Sequence, residues 1–385
     1  MSEYDADVAV VGLGAVGSMA AWRLAGRGLS VHGYERFGVG HDRGASSGQT
    51  RRFSVQSQRE PRWTPLALAA LDLWRELESA TGRSLLNLTG GVILGPADAP
   101  ALVGARQSAV DTALPHEVLD AAALADRFPQ HLVRPTDAGV LDPLAGFVRP
   151  EPAVVGAVRQ ARELGATVFD HTRVLGVEAD GVVRTAAGTH RYRHVVVAPG
   201  ARARDVLGLA RQTVLPRRLV QAWYLPHDVD SYRADVFPVF ERVGDVNAYG
   251  FPTLDGATVK VGVYTSGHPI VHDTEHVPLT VGSALLAYFR HAIAKYLPGL
   301  HPEPTATTVN LEGYTTDGQP LVGPAPGADR VVVACGFSGA GFKFAPVIGD
   351  VLADLVAVGH TKHDIGFLTP DRPLAPWPAD ALTPA

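Results

Sequence analysis

A single cysteine, Cys335, in 385 residues excludes an intrachain disulfide and any cysteine-based zinc site. Such cysteine usage fits a reducing cytoplasm, which is the expected compartment. No stretch reaches the ~18 consecutive apolar residues of a spanning helix. The start, Met1-Ser2-Glu3-Tyr4-Asp5, is acidic where a secretory leader is basic, so neither a membrane span nor an export signal is expected. Runs of like charge are missing too, and with a formal net charge of −5 the chain offers no electrostatic footprint for nucleic acid or an anionic membrane. Lysine is scarce: Lys260, Lys295, Lys343 and Lys362 are the whole set, and the other cations are arginines. Each lysine therefore merits separate attention. Nothing in the sequence fixes the oligomeric state, and a monomer is compatible with it.

What is present is enough apolar sequence, 46% of residues, to bury a large core divided over two or three domains. Asp7-Val8-Ala9-Val10-Val11 is a β-branched run that leads directly into Gly12-Leu13-Gly14-Ala15-Val16-Gly17 and a helix-forming stretch through Arg27. Leu29 to Tyr34 reads as the next strand and ends on Glu35, with Arg36 beside it, about twenty residues past the glycines. Strand, glycine turn, helix, strand and acid in that order form a dinucleotide fingerprint. Its chemistry needs glycines because backbone must approach a pyrophosphate closely, at a helix N-terminus whose free N–H groups and dipole favour an anion. Glu35 would accept from the ribose hydroxyls. The alternative, that the glycines serve only tight strand-to-helix packing, does not explain the acid.

Further along, Leu66 to Leu77 has helical spacing, and Gly90 to Gly95 reads as a strand entering a different region. Pro- and Asp-rich text from Pro96 to Val148 suggests short helices and loops. Glu151 to Glu163 is helical. Strands are expected at 166–169, at Arg173-Val174-Leu175-Gly176-Val177, and at Arg193 to Ala198, the last ending in a glycine turn at Gly200. Short alternating runs between Val214 and Tyr264 suggest an antiparallel sheet. Ala284 to Tyr296 is a helix, Arg330 to Gly336 a buried strand, and Pro346 to Val358 a final helix before a Pro-rich tail.

Four segments together resemble the monomeric sarcosine oxidase and N-methyltryptophan oxidase group of the D-amino-acid-oxidase-like flavoenzymes, over nearly the whole chain. They are the N-terminal fingerprint, Ser46-Ser47-Gly48-Gln49-Thr50-Arg51, Tyr249-Gly250-Phe251-Pro252 followed by Lys260, and Gly336-Phe337-Ser338-Gly339-Ala340-Gly341-Phe342-Lys343-Phe344. The resemblance implies an α/β fold in which a Rossmann-like FAD-binding domain (residues 1–85, 145–213 and 300–385) interleaves with an antiparallel-sheet substrate domain (86–144 and 214–299). FAD would be held by Gly12, Gly14, Val16, Gly17, Glu35, Arg36, Ser46, Ser47, Thr50, Arg51, Val174, Gly200, Gly336, Ser338, Gly339, Gly341, Phe342 and Lys343. A lysine matching Lys260 sits beside the flavin in that family and promotes reaction with O₂, since a fixed cation stabilises the superoxide-like charge of one-electron transfer. From pattern alone Lys260, among β-branched residues, reads as the solvated face of a strand; the resemblance and the scarcity of lysine reverse that reading. Tyr249 and Tyr314 match positions lining the substrate side, and Arg51 and Lys343 complete the catalytic set.

The departures are specific. The arginine that grips the substrate carboxylate falls at Ser54, two family histidines fall at Tyr264 and Ala340, and the cysteine that bonds the flavin falls at Glu312. FAD is therefore expected to be non-covalent, with Cys335 a core residue. Arg52 would point away from Arg51 in an extended stretch. His171, His190 and His194 lack a companion acid set, so no metal is expected, and no Gly-x-Ser-x-Gly elbow appears. The expected activity is oxidation of a small-molecule secondary amine or amino-acid-like compound to an imine, with O₂ reduced to H₂O₂. Three alternatives stay open on the sequence: a nicotinamide dehydrogenase, a flavin dehydrogenase with another acceptor, and a non-catalytic FAD-binding scaffold.

Overall fold

In the computed structural model, β1 (Ala6–Val11) is buried along nearly its whole length because it has a parallel neighbour on either side. It pairs with the strand Gly188–Val197 at Val8↔His194 through Val11↔Val197, and with β2 (Val31–Tyr34) at Val8↔Val31 through Val11↔Tyr34. A strand covered on both faces reads as an unbroken apolar run, which is why its signal is so clear. The residues described are 3–56, 60–207, 213–264 and 269–378; Met1, Ser2 and the last seven residues of the Pro-rich tail lie outside them.

Helix α1 (Ala15–Gly26) returns across one face of this sheet and packs between the helices Pro150–Glu163 and Ala345–Val358. A Cβ on Gly349 would lie 2.7 Å from the backbone of Met19, so that glycine permits the close approach of two helices. The sheet continues through β2 to Thr167–Phe169. On the other side Gly188–Val197 is shared: its first half pairs antiparallel with Val182–Thr185, and its second half pairs parallel with Ala328–Cys335.

The second sheet has eight strands in the order Ala306–Tyr314, Leu215–Tyr224, Val259–Tyr264, Asn247–Gly250, Val239–Arg242, Gly91–Pro96, Asp137–Asp142, Glu117–Leu119. It is antiparallel except for the parallel pair Val239–Arg242 with Gly91–Pro96. Helix Ser283–Tyr296 buries Phe289, Ile293 and Tyr296 into the same core as Phe240 and Val261. A small third sheet joins Arg51–Phe53, Gly146–Val148 and Leu86–Asn87.

Three expectations need correction. The stretch 96–148 holds helices at Pro100–Asp111 and Ala121–Arg127, but also the strands Glu117–Leu119, Asp137–Asp142 and Gly146–Val148. These strands are short and begin or end in acids and glycine, so their local pattern is weak and partners distant in sequence define them. Ala306–Tyr314 is a full strand paired with Leu215–Tyr224 from Trp223↔Ala306 to Leu215↔Tyr314, so the chain returns to the first sheet after Tyr314 rather than at 300. Val259–Tyr264 has no solvated face until Tyr264. The helix Ser283–Tyr296 lies against this strand, and the Lys260 side chain reaches the Gly48–Thr50 segment.

Candidate functional site

The turn after β1 divides its glycines by task. Gly12 has φ +85°, and a Cβ there would lie 2.6 Å from the Ala198 carbonyl oxygen; at Gly17 a Cβ would lie 1.8 Å from the Gly12 oxygen. These two let strand, turn and helix meet. Gly14 is different, since a Cβ would meet only Ser46 Oγ at 3.6 Å. Its missing side chain leaves room in a cleft of about 1530 Å³, counted to its open mouth, that Gly12, Gly14 and Val16 all line. Helix α1 has no side-chain cap at Gly14, and the Ala15 N–H donates to Ser46 Oγ at 3.1 Å. A helix N-terminus that faces a cleft, with Ser46 taking only its first amide, suits an anion,.

Glu35 closes the fingerprint. Its Oε2 accepts from Leu13 N–H at 2.9 Å and its Oε1 from Phe37 N–H at 3.0 Å, with His41 Nε2 at 3.2 Å. Burial alone would raise this carboxyl, but His41 and the two amides outweigh it and hold the group below its ordinary value,. It is a fixed carboxylate at the cleft wall. Arg36 lines the cleft as well, although its guanidinium is held by Glu275, which also takes Arg173 at 3.2 Å. Val174 and Gly200 complete this end, each at the start of an element.

At the other end lies Arg51, a cleft residue whose donors go to Ala45 O at 3.2 and 2.7 Å, Thr50 O at 2.8 Å and Asn310 Oδ1 at 3.4 Å. Ser47 and Thr50 brace this segment rather than line the cleft: Ser47 Oγ accepts from Asn310 Nδ2 at 2.8 Å, and the Thr50 carbonyl accepts from Lys260 Nζ at 2.9 Å. Lys260 also donates to Gly48 O at 2.6 Å and lies 5.0 and 5.4 Å from the ring centres of Phe251 and Trp223. At 3% exposure the solvated-face reading fails. Burial first, then Arg51, pushes its ammonium well below the usual lysine value, with Glu151 opposing. Lys260 stands behind the cleft wall and is not part of its lining.

The loop after Ala328–Cys335 contributes Gly336, Ser338, Gly339, Gly341 and Phe342 to the cleft. Gly336 and Gly339 have φ +73° and +86°, and Ser338 holds φ +51° with its Oγ accepting from Thr315 N–H at 3.1 Å. Lys343 turns away from the cleft, and its Nζ donates to Ser54 Oγ at 3.1 Å and Ser54 O at 3.2 Å. Burial, and then Arg52, lower this amine to about 7 against the pull of Glu241 and Asp142. Arg52 does point away from Arg51, pairing with Glu241 at 2.6 Å. Tyr249 packs 4.9 Å from the Tyr264 ring, and the Tyr314 hydroxyl donates to Glu312 Oε2 at 3.4 Å. Burial raises both phenols.

Several participants were not anticipated. Glu151 accepts from the N–H groups of Gly48 and Gln49 at 2.6 and 3.1 Å, and Asn310 bridges Arg51 and Ser47. Gln56 is 4% exposed, with neither amide atom partnered among the described residues. Its neighbour Ser54 and the buried Asp142 place it in the Lys343 cluster. Glu312 was noted only as a missing cysteine, yet it lines the cleft. Only its place two residues before Tyr314 could have marked it.

The sequence profile of the family described as FAD dependent oxidoreductase matches residues 7–355. The chain belongs to that family. This FAD-dependent oxidoreductase is 35% identical to a monomeric sarcosine oxidase of Streptomyces avermitilis, over 97% of its own length and 99% of the relative's. It is 31% identical to an N-methyl-L-tryptophan oxidase of Citrobacter koseri, with 90% and 94% covered. Among solved structures, NikD, an unusual amino acid oxidase essential for nikkomycin biosynthesis, superposes with TM-score 0.83 at 26% identity over 95% of this chain and 97% of that one. The expected α/β flavoenzyme fold and the FAD cofactor are thereby established, and a nicotinamide dehydrogenase is excluded. Glycine space at Gly14, the uncapped helix start and the fixed Glu35 carboxylate fit the cofactor's pyrophosphate and ribose. Among the described residues no helix is long and apolar enough to cross a membrane, and no cluster of three or more metal-ligating side chains occurs.

Proposed function

We propose that this enzyme oxidises the C–N bond of a secondary amine or amino-acid-like substrate to an imine, with O₂ as acceptor and H₂O₂ as product. When bound, FAD supplies the two-electron acceptor for the carbon beside nitrogen. The observation that carries the oxidase reading is Lys260, a buried amine fixed by two carbonyls beside Arg51 and charged below its lowered pKa. A preorganised charge in a dry site stabilises charge developing on oxygen.

The chain's own residues have separate tasks in this reading. Gly12, Gly14, Val16, Ser46 and Glu35 hold the cofactor's phosphate and ribose, with Gly17 letting the helix pack beneath the turn and Arg36, Val174 and Gly200 around the adenosine. Gly336, Ser338, Gly339, Gly341 and Phe342 hold the ring end opposite Arg51, and Ser47 and Thr50 keep the Arg51 segment in place. Tyr249 and Tyr314 bound the substrate and exclude water. Lys343, Ser54 and Gln56 receive its polar substituent. No side chain needs to act as a strong base if the amine arrives neutral. The division into a FAD domain and a substrate domain follows the two large sheets, with the strand Ala306–Tyr314 serving the second. Attachment of FAD is non-covalent: Glu312 forms no thioether, and Cys335 is fully buried beneath the cleft wall, its thiol pushed up to about 12.

One observation favours a second reading. Both hydrogen bonds that Lys260 makes to side-chain or backbone partners among the described residues go to backbone carbonyls, so the lysine could brace the Gly48–Thr50 segment while electrons leave to an acceptor other than O₂. Anaerobic mixing of the yellow protein with a panel of secondary amines and N-alkyl amino acids tests the shared core of both readings. Bleaching by at least one amine is expected; a protein that no amine bleaches is a scaffold.

A further inference from the structure

Lys260 is buried beside Arg51, and every hydrogen bond the two side chains make among the described residues goes to a neutral oxygen, of Ala45, Gly48, Thr50 or Asn310. The negative charge that supports Lys260 stands one peptide away. Glu151, in the first turn of the helix Pro150–Glu163, accepts through Oε1 from Gly48 N–H at 2.6 Å and from Gln49 N–H at 3.1 Å. The peptide between Gly48 and Gln49 is therefore a bridge: its N–H faces Glu151, and its carbonyl accepts from Lys260 Nζ at 2.6 Å. Each end of that dipole lies on the opposite charge. Gly48 and Gln49 both stand at positive φ, +94° and +69°, which aims two successive N–H groups at one anion. For glutamine this conformation is strained and persists only where its surroundings fix it. Glu151 holds the amides, Lys260 holds the carbonyl, and Trp223 Nε1 donates to Gln49 Oε1 at 3.1 Å. Trp223 is also the direct neighbour of Lys260 across the sheet, so lysine and turn are fixed to one frame.

We propose that Glu151 is a positioning residue for Lys260: acting through the Gly48–Gln49 peptide, its carboxylate keeps the carbonyls of the turn on Nζ and keeps the amine in its charged form. The proposal rests on the reading of Lys260 as the cation that serves O₂. Few charged groups face this lysine. Burial is the largest influence against its charge, Arg51 is the next, and Glu151 opposes both. The groups around it from the neighbouring strands and their loops, Trp223, Phe251, Gln221 and the raised phenol of Tyr249, are neutral. The helix Ser283–Tyr296 packs on the same strand through apolar side chains, Phe289 and Ile293 among them. Without Glu151 the ammonium would face Arg51 alone and shed its proton at lower pH. The single peptide between them limits the distance from Oε1 to Nζ to roughly 8 Å. One unit charge at that distance, at an effective dielectric of about 20, moves a titration by roughly 1–1.5 pH units.

The scarcity of lysine makes the test direct. FAD-loaded protein carrying ¹³C at lysine Cε gives one resonance for each of Lys260, Lys295, Lys343 and Lys362, and the one missing from Lys260→Met belongs to Lys260. Its titration is followed by NMR from pH 6 to 11 in wild type and in Glu151→Gln, which keeps an oxygen for the two amides and removes the charge. The midpoint should fall by roughly 1–1.5 pH units in the variant. The pH at which reoxidation of the flavin by O₂ slows should fall with it, while reduction by amine should differ little between the two proteins. An unmoved midpoint overturns the proposal, and so does a variant whose reoxidation profile stays in place although the wild-type profile follows the titration of Lys260. Should Glu151→Gln not fold, Glu151→Asp, which draws the carboxylate back by one methylene, should give a smaller fall, and no fall is equally contrary. Wild-type reoxidation that ignores the titration of Lys260 refutes instead the assignment of that lysine to O₂.

Discussion

Replacing Lys260 by methionine keeps an unbranched stem of similar length between Trp223 and Phe251 and removes only the charge. In the wild-type protein Nζ donates to Gly48 O at 2.6 Å and Thr50 O at 2.9 Å. Each hydrogen bond from a charged donor contributes about 1.5–3 kcal/mol, but the buried ammonium also pays desolvation, which is the first cause of its lowered pKa. The variant loses the bonds and regains the desolvation, so stability should change little. Catalysis should not be spared. Removing one fixed electrostatic stabiliser costs about 10²–10³ in rate, or roughly 2.7–4 kcal/mol. The assay is stopped-flow spectrophotometry of the two half-reactions, reduction by amine without oxygen and then reoxidation by O₂. Reoxidation should slow by that factor while reduction stays within about threefold. The sign of the pH dependence also follows: the charge is present below the lowered pKa of Lys260 and lost as pH rises through it. Wild-type reoxidation should therefore slow with rising pH while the methionine variant stays flat. Equal slowing of both half-reactions would make Lys260 a structural brace and refute the reasoning.

Three further outcomes are expected. Gly14→Val should fold and melt like wild type but lose FAD, because its Cβ meets only Ser46 Oγ at 3.6 Å, whereas Gly17→Ala, 1.8 Å from the Gly12 oxygen, should fail to fold; circular dichroism melts and the visible spectrum check both. With Lys343 lowered to about 7, binding of acetate to the yellow protein, followed by flavin absorbance, should weaken as pH rises through that value, since only the ammonium attracts the anion; Lys343→Met should abolish the dependence. Acid precipitation should leave FAD in the supernatant, and a yellow pellet with protein mass raised by one FAD would contradict non-covalent attachment.

The first sheet was legible because its strands are buried on both faces: Val8 to Val11 and Val331 to Val333 carry their apolar signal locally, and Gly12, Gly14 and Glu35 announce the ligand by spacing. The strand Ala306–Tyr314 was not legible. Its first residues, Ala306, Thr307 and Thr308, are exposed, and only pairing with Leu215–Tyr224 makes it a strand. Lys260 shows the limit of pattern, since a lysine between valines looks solvated until the Gly48–Thr50 segment covers it from 210 residues away. Gln56, Asn310 and Glu151 carry no local motif, and the fold alone brings them to the site. Ser54 was noticed as a lost arginine, but that Lys343 leans onto its hydroxyl is a fact of three dimensions.

The most direct test of the account is the fate of the electrons after an amine has bleached the flavin. Air is admitted to the anaerobically reduced wild-type protein, and oxygen uptake and peroxide are measured together. One H₂O₂ for each O₂ consumed and each flavin recoloured, within seconds, is the predicted result. A flavin that stays bleached in air, and recolours only when a quinone or dye is added, would contradict the oxidase assignment.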